Sequence, residues 1–222
     1  RGKVYPQLRE IAARIADMND AICEKIIESN PVVLLRGDIT AKDFTTRKNL
    51  TKHLLTAFEQ DKLLDEPEIL SSYRKLNHPH LALQLQPYLQ KSSGFVVKRA
   101  AIDIAEACKV EKLSDDLLNI ALNEQERWEI RTNAIYAIKR IGNNKAKKGL
   151  LPLLNIQSEK DPHDEIKGSS LLVLWPKFVS IEEVLAVFTE CQDSGYIGAY
   201  CSFTGSHFIK NLLSNIFSYF FD

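Results

Sequence analysis

A nine-residue pattern begins as Val97-Lys98-Arg99-Ala100-Ala101-Ile102-Asp103-Ile104-Ala105 and returns at Ile130–Ile138 and Ile166–Leu174. Each copy starts with an aliphatic residue followed by a cation. A small residue stands four positions after the first aliphatic residue, and another aliphatic residue follows it. The copies begin 33 and 36 residues apart. A period in the thirties is typical of stacked helix pairs, because one pair alone cannot bury its apolar face.

A second set of apolar pairs follows the same period, at Leu117-Leu118, Leu150-Leu151 and Val184-Leu185. We expect the second member of each pair, Leu118, Leu151 and Leu185, to lie in the core. The two patterns together predict an all-α protein, an α-solenoid of helical hairpins forming an α-α superhelix.

Changes in pattern along the chain divide it into three parts. We expect an irregular helical region over residues 1–91, three repeated helical hairpins over residues 92–193, and a C-terminal helical cap or the start of a further region over residues 194–222. The last part includes a predicted helix from Phe208 to Phe221.

Apolar spacing, capping residues and prolines predict where the helices of the repeats begin and end. We predict helices over Phe95–Lys109, Ser114–Asn123 and Glu126–Ile141 from their apolar spacing and caps. Pro152 predicts either a bend or the start of a new helix, because proline removes a backbone donor and clashes with the preceding turn. The third unit is expected to open with Asp161 as a cap and Pro162 at the first helical position. Ser180 is expected to cap its second helix.

The beginning of the chain also has helical spacing. The apolar residues Val4, Leu8, Ile11, Ala12 and Ile15 recur at helical spacing and predict a first helix, and Asn19 predicts the start of a second. The run 32–35 is read as a buried connector, because no second strand is available to pair with it. A third helix is expected to open at residue 38 or 40.

Charge and composition narrow the function classes. Lys and Arg total 29 and Asp and Glu total 29, so no net field favours nucleic acid or an anionic membrane. Charged residues interrupt every apolar stretch, so no membrane span is expected. The four cysteines have no paired-ligand spacing, which favours free thiols in a reducing, cytoplasmic compartment. The first residues carry neither Met nor a signal sequence, and the chain is therefore expected to begin inside a longer protein.

One cation recurs in each repeat, at Lys98, Arg131 and Lys167. In a stacked array these residues would form a row that could grip a phosphate backbone or an acidic peptide. The same row could equally be three solvated side chains lying along the preceding helix, and we favour this structural interpretation. The sequence contains no phosphate-loop motif and no helical zinc motif, so we assign no catalytic, cofactor-binding or metal residue and expect no cofactor.

The helix pairs with the aliphatic-cation-x-x-small-aliphatic pattern resemble HEAT-like repeats. A narrower resemblance begins at Asp161-Pro162-His163-Asp164-Glu165-Ile166-Lys167-Gly168 and continues through Leu171-x-x-Leu174-Trp175-Pro176 and residues 180–184 to Gly198-Ala199-Tyr200-x-x-Phe203. These residues look like the helical region that follows the NTPase module of prokaryotic NACHT-type STAND proteins. The segment Asn30-Pro31-Val32-Val33-Leu34-Leu35 is similar to the segment that precedes it there.

The resemblance implies that the chain is one segment of a larger signalling protein. Proteins of that family carry an effector, an ATP-binding oligomerisation module and a repeat-rich sensor, and many act in antiphage defence. It implies that this chain is a non-catalytic interaction or sensor segment of such a bacterial signalling protein. Its expected partner is another protein, either the missing NTPase module or a recognised foreign protein. Neither nucleic acid nor a membrane is expected as a partner.

Two other classes remain open at this stage. A free-standing HEAT-repeat scaffold for protein–protein interaction would have the same pattern without an NTPase module. A HEAT-fold DNA glycosylase or bilin lyase would need a concave wall with a carboxylate beside aromatic residues, and the inner helices offer mainly Asn119, Gly149 and Pro152.

Overall fold

The structure is a computed structural model that describes residues 4–63, 67–90, 93–192 and 195–212, without the side chains of residues 41, 67 and 68. Its regular elements are all helical, and the described residues contain no strand. The expected all-α class is therefore confirmed. The chain divides into two compact units, Arg1–Leu113 and Ser114–Asp222. Their boundary falls between the two helices of the first predicted repeat, and the predicted division at residues 92 and 194 stays a prediction.

Six α-helices make up the described part of the first unit. They are α1 (Arg9–Met18), α2 (Asp20–Ser29), α3 (Phe44–Glu59), α4 (Pro67–Leu70), α5 (Leu81–Gln90) and α6 (Phe95–Ala107). Short 3-10 helices over Pro6–Leu8, Pro31–Arg36, Ile39–Ala41, Tyr73–Leu76 and Glu111–Leu113 join or extend them. Helices α1 and α2 pack on each other, and α3 and α5 both pack on α6.

Side-chain caps set two of these helix starts. Asn19 accepts a hydrogen bond from the Ile22 amide at 3.1 Å, which confirms its predicted role at the start of α2. Asp43 accepts one from the Thr46 amide at 2.7 Å and starts α3. The expected start at residue 38 or 40 is wrong, because a separate 3-10 turn occupies Ile39–Ala41. The run 32–35 lies in the 3-10 helix Pro31–Arg36 with Val33, Leu34 and Leu35 buried, as expected for a buried connector.

Small residues form the buried face of α1. Ala13 and Ala16 are fully buried, whereas Leu8, Ile11 and Ile15 are 48%, 56% and 39% exposed. The helix packs against α2 and the 3-10 helix Pro31–Arg36 through its small residues, since alanine allows the backbones to approach closely. The larger apolar residues face away from this contact.

The second unit also contains six α-helices within its described residues. They are α7 (Ser114–Leu122), α8 (Trp128–Ile141), α9 (Asn144–Lys148), α10 (Glu165–Leu174), α11 (Ile181–Ala186) and α12 (Ala199–Ser202). Helix α12 continues as a π-helical turn over Phe203–His207 and an α-helical turn over residues 208–212. The rest of the predicted helix Phe208–Phe221 lies outside the described residues.

The predicted helices Phe95–Lys109, Ser114–Asn123 and Glu126–Ile141 agree with α6, α7 and α8 to within two residues at each end. Pro152 starts a new segment, the 3-10 helix Leu151–Asn155, because its missing N–H is harmless in a first turn. Ser180 caps α11 as expected, with its hydroxyl and the Glu183 carboxylate forming a capping box.

Helix α10 is the centre of the second unit. Nine of its ten residues are buried, and it packs against α8, α12 and the 3-10 helix Leu151–Asn155. A helix buried on all sides needs small residues where its neighbours approach, and α10 supplies Gly168, Ser169 and Ser170.

The expected core residues of the second repeated pattern are wrong by one position. Leu151 and Leu185 are 39% and 53% exposed, and Leu118 is half-buried. Their preceding neighbours Leu117, Leu150 and Val184 are fully buried instead. Adjacent helical positions are rotated by about 100°, so a shift of one residue turns a side chain from the core toward solvent.

Candidate functional site

The three recurring cations lie inside the protein. Lys98, Arg131 and Lys167 are 5%, 2% and 7% exposed. The interpretation as three solvated side chains is therefore wrong. Lys98 belongs to the first unit, and Arg131 and Lys167 belong to the second. Each is held by its own surroundings, so these positions offer no solvent-facing band of charge to an external phosphate or acidic peptide.

Arg131 stabilises the end of the preceding helix. Its Nε donates a hydrogen bond of 2.9 Å to the carbonyl oxygen of Ala121, in the last turn of α7. Carbonyls at a helix C-terminus have no partner within the helix, and a cation there also interacts favourably with the helix dipole. Burial lowers the pKa of Arg131, and the carboxylates of Glu124 and Asp161 oppose the shift.

Lys167 joins α10 to the segment after α11. Its Nζ donates to the hydroxyl oxygen of Thr189 at 2.9 Å and lies 5.0 Å from the centre of the Tyr200 ring. Burial lowers the pKa of Lys167, while Asp164 and Asp161 act to raise it. The Tyr200 hydroxyl donates to the Thr189 carbonyl at 3.0 Å and accepts from the Thr189 amide at 2.8 Å. The cation is thus part of a local network.

That network continues around the first turn of α10. The two oxygens of Asp161 accept hydrogen bonds from the Ile166 and Lys167 amides at 3.0 and 2.9 Å. Asp161 therefore caps the helix, as expected, but from four residues before its start. The expected position of Pro162 is wrong, because α10 begins only at Glu165. Burial raises the pKa of Asp161, and the two amides act against this rise.

Two further carboxylates fasten later segments to α10. The Asp164 carboxylate accepts from the backbone amide of Gln192 at 2.9 Å and from its side-chain Nε2 at 2.7 Å. Glu165 accepts from the backbone amide of Ala199, the first residue of α12, at 2.7 Å. Asp164 adopts a φ of 54°, which aspartate tolerates better than most residues.

Glycine makes the close approach of α12 to α10 possible. A Cβ atom on Gly168 would overlap the backbone of Tyr200, and one on Gly198 would overlap the Glu165 carboxylate. Residues from the two ends of the narrower sequence resemblance, Asp161–Gly168 and Gly198–Tyr200, therefore meet in one cluster. We call it the α10 clamp, defined by Asp161, Asp164, Glu165, Lys167, Gly168, Gln192, Gly198, Ala199 and Tyr200.

The α10 clamp stabilises structure, because its polar groups bond one another or the backbone. Its carboxylates accept amide hydrogen bonds, and its lysine donates to a hydroxyl group. Across the described ranges, no group of three or more His, Cys, Asp and Glu residues could hold a metal ion. The four cysteines are free, and Cys191 and Cys201 have their sulfur atoms 3.2 Å apart.

Sequence reasoning missed an exposed apolar face on the first unit. Tyr5 and Met18 are 73% and 82% exposed, and they lie at the two ends of the exposed row of Leu8, Ile11 and Ile15. We call these five residues the α1 face. The signal in the sequence is that α1 has apolar residues on two sides, alanines on one and larger side chains on the other. Only one of the two sides can pack within the unit.

A groove of about 500 Å³ between α3 and α5 is the second exposed feature. Lys48, Lys52 and Glu59 line its α3 side, and Leu83, Pro87 and Tyr88 line its α5 side. It arises because α3 and α5 both rest on α6. We call it the α3–α5 groove.

Comparisons with protein-family models, curated proteins and solved structures gave no match. Among the described residues, no helix combines the length and the apolar character that crossing a membrane requires.

Proposed function

We propose that this chain is a non-catalytic, helical protein-interaction segment and that the α1 face contacts a protein partner. The single observation that carries the proposal is the exposure of the large apolar side chains Ile11, Ile15 and Met18 on α1, together with Tyr5 and Leu8 directly before it. Single exposed apolar residues are ordinary, but a continuous row marks an interaction surface.

Burial of this row would favour association. Residues 8, 11, 15 and 18 follow helical spacing, so their side chains form one strip that a partner can cover at once. Complete burial of an exposed Leu, Ile or Met side chain contributes about 1.5–3 kcal/mol. The strip alone can therefore supply several kcal/mol toward the cost of association, which is about 4–15 kcal/mol.

A second proposal concerns the larger protein to which this chain would belong. We propose that the repeats form a HEAT-like array and serve as the sensor segment of a STAND-type, ATP-dependent signalling protein in antiphage defence. The resemblance over residues 161–203 supports it, and so does the contact between its two ends, Asp161–Gly168 and Gly198–Tyr200, in the α10 clamp. In this mechanism, capture of a foreign protein changes the packing of the repeats against the NTPase module and releases that module to oligomerise.

The coding sequence upstream of Arg1 distinguishes a segment of a STAND-type protein from a free-standing interaction scaffold. An in-frame G-x-x-x-x-G-K-[ST] segment would support the STAND-type switch. A start codon directly before Arg1 would leave a free-standing interaction scaffold. The proposed contact of the α1 face applies to both cases.

Site-specific crosslinking tests the α1 face directly. A photoreactive phenylalanine analogue placed at Met18 in the protein expressed in its source cells should crosslink one defined protein. The matched control carries the analogue at Glu24, an exposed position on α2. The crosslink at Met18 should disappear when Ile11→Asp is added, because a charge in the strip opposes burial.

Equal crosslinking yields from Met18 and Glu24 would contradict the proposal, because a specific contact at the α1 face requires a higher yield there than on α2. So would a crosslink that survives Ile11→Asp. The Ile11→Asp protein should keep its helical circular dichroism spectrum, because Ile11 is exposed and makes little contribution to the core.

A further inference from the structure

We propose that the α3–α5 groove binds an acidic, apolar peptide segment of a partner protein, with the acidic residues at the end near Lys48 and Lys52. This inference rests on the proposed interaction function and adds a second contact of defined chemistry. It concerns a surface separate from the α1 face, so each can fail without the other.

The groove presents apolar surface to solvent. Leu83 is 70% exposed although it lies within α5, and Pro87 and Tyr88 follow it along the same wall. Phe44, at the start of α3, is 48% exposed, and its ring centre lies 6.2 Å from that of His80, which also lines the groove. An aliphatic or aromatic side chain of a peptide would cover these groups and gain the usual free energy of apolar burial.

One end of the groove is positively charged. Lys48 and Lys52 lie one turn apart on α3, both are exposed, and neither makes an ion pair within the described residues. Glu59 lies farther along the same helix and lines the groove there. Since the whole chain has a formal charge of zero, this is a local charge pattern. It favours a ligand with carboxylates near the two lysines and apolar residues beyond them.

The positive end also acts on a neighbouring histidine. Burial is the main cause that lowers the pKa of His78. The hydrogen bond to Gln84 opposes this shift, and the nearby charges of Arg47, His80 and Lys48 add to it. A neutral imidazole suits the contacts of His78. Its Nδ1 accepts a hydrogen bond from the His80 amide at 3.3 Å, and its Nε2 donates to the Gln84 side-chain oxygen at 2.9 Å.

The Gln84 side chain links the two walls of the groove through hydrogen bonds. Its Nε2 donates to the backbone carbonyl of Lys48 at 2.9 Å, so a chain of hydrogen bonds runs from His78 on the α5 side to α3. The two walls are held at a fixed spacing before any ligand arrives. A pre-formed groove loses less conformational freedom on binding, which favours affinity.

A peptide fits this surface better than a nucleic acid does. The lysines occupy only one end, and the Glu59 carboxylate lines the groove farther along the same helix. The Glu59 carboxylate would repel the phosphates of a nucleic-acid strand that lay along the groove.

Selection from a random peptide library tests the proposal and requires no identified partner. The probe is a displayed library of random dodecapeptides, selected on the immobilised 222-residue chain. We expect enrichment of sequences with Asp or Glu next to Leu, Phe or Trp. A selected peptide with a fluorescent label then gives the Kd by anisotropy.

The double variant Lys48→Glu/Lys52→Glu should raise the Kd of that peptide about tenfold or more, because reversal of two contact charges removes roughly 1.4 kcal/mol or more. Leu83→Asp should weaken binding as well. The matched control Lys109→Glu/Lys112→Glu makes the same charge change at exposed lysines of the same unit that do not line the groove, and should leave the Kd within about twofold. Binding should also weaken as salt is raised.

The proposal is overturned if the library yields no enriched sequence, if the enriched sequences lack acidic residues, or if their binding is unchanged in Lys48→Glu/Lys52→Glu. If the selected peptides instead lose binding in Ile11→Asp, the groove assignment falls while the proposed contact of the α1 face stands. A labelled 20-nucleotide single strand that bound with sensitivity to the same lysine variant, and competed with the peptide, would replace the peptide by a nucleic acid.

Discussion

The side chain of Glu165 accepts a hydrogen bond of 2.7 Å from the backbone amide of Ala199, which is 34 residues further along the chain. The carboxylate belongs to the first residue of α10 and the amide to the first residue of α12. Free amides at a helix start need an acceptor, and α12 finds this one in a different helix. The contact shows how the second unit fastens its last described helix to its central one.

Glu165→Ala should destabilise the protein by about 1–3 kcal/mol, because it leaves the buried Ala199 amide without this acceptor. Glu165→Gln retains a side-chain oxygen and should cost less. Urea unfolding of the two variants beside Glu159→Ala, a change at an exposed glutamate, measures the difference. Equal midpoints for Glu165→Ala and Glu159→Ala would show that the hydrogen bond does not contribute.

The one-residue shift in the repeated apolar pairs predicts opposite behaviour of adjacent leucines. Leu150→Ala should cost about 2–5 kcal/mol because Leu150 is fully buried. Leu151→Ala should cost under about 1 kcal/mol, because Leu151 is 39% exposed and loses fewer contacts. Chemical denaturation of both single variants is the measurement. A larger loss from Leu151→Ala than from Leu150→Ala would restore the register that the sequence predicts.

Gly168→Ala should destabilise the α10 clamp by about 1–3 kcal/mol, since the added Cβ overlaps the backbone of Tyr200. Gly205→Ala is the matched control. A Cβ at Gly205 meets no atom within 4 Å, and alanine is favoured over glycine in a helical turn by about 0.5–1 kcal/mol. Thermal melts should therefore shift down for Gly168→Ala and slightly up for Gly205→Ala. Equal shifts would contradict the close approach of α12 to α10.

His78 should make the stability of the first unit fall as the pH decreases. Burial holds the pKa of folded His78 below its ordinary value of 6.5. The unfolded chain therefore binds more protons in the interval between the folded pKa and 6.5, and acid favours unfolding there. This loss occurs on lowering the pH below about 6.5, the ordinary histidine pKa, and ends below the folded pKa.

Urea unfolding across this pH range should show a shallower acid loss for His78→Asn than for the natural chain. The neutral amide cannot gain the proton, and it keeps both a donor and an acceptor. Parallel pH curves for the natural chain and His78→Asn would contradict a lowered pKa in the folded state.

Several helix ends could be predicted because their causes are local. The Ser180 hydroxyl and the Glu183 carboxylate lie within one turn of the bonds they make, and Asn19 lies three residues from the amide it caps. The periodic spacing that predicts α6, α7 and α8 likewise depends only on neighbours along the chain.

The surroundings of the cations could not be predicted in the same way. An aliphatic residue followed by Lys or Arg is ordinarily read as the border between core and solvent. Arg131 is buried because it reaches the carbonyl of Ala121 in the preceding helix, and Lys167 because Thr189 and Tyr200 surround it. Those partners come from other helices or segments, and their positions follow from packing.

The sequence by itself determined that this protein is helical, where most of its repeated helices begin and end, and that its polar residues form no recognised catalytic or metal motif. Only the tertiary structure decided which apolar side of α1 is covered and which leucine of each pair enters the core. It also decided that the carboxylates of Asp164 and Glu165, at the start of α10, hold segments about 30 residues away. The physical reason is that helix formation depends on contacts within a few residues, whereas burial depends on which helices meet.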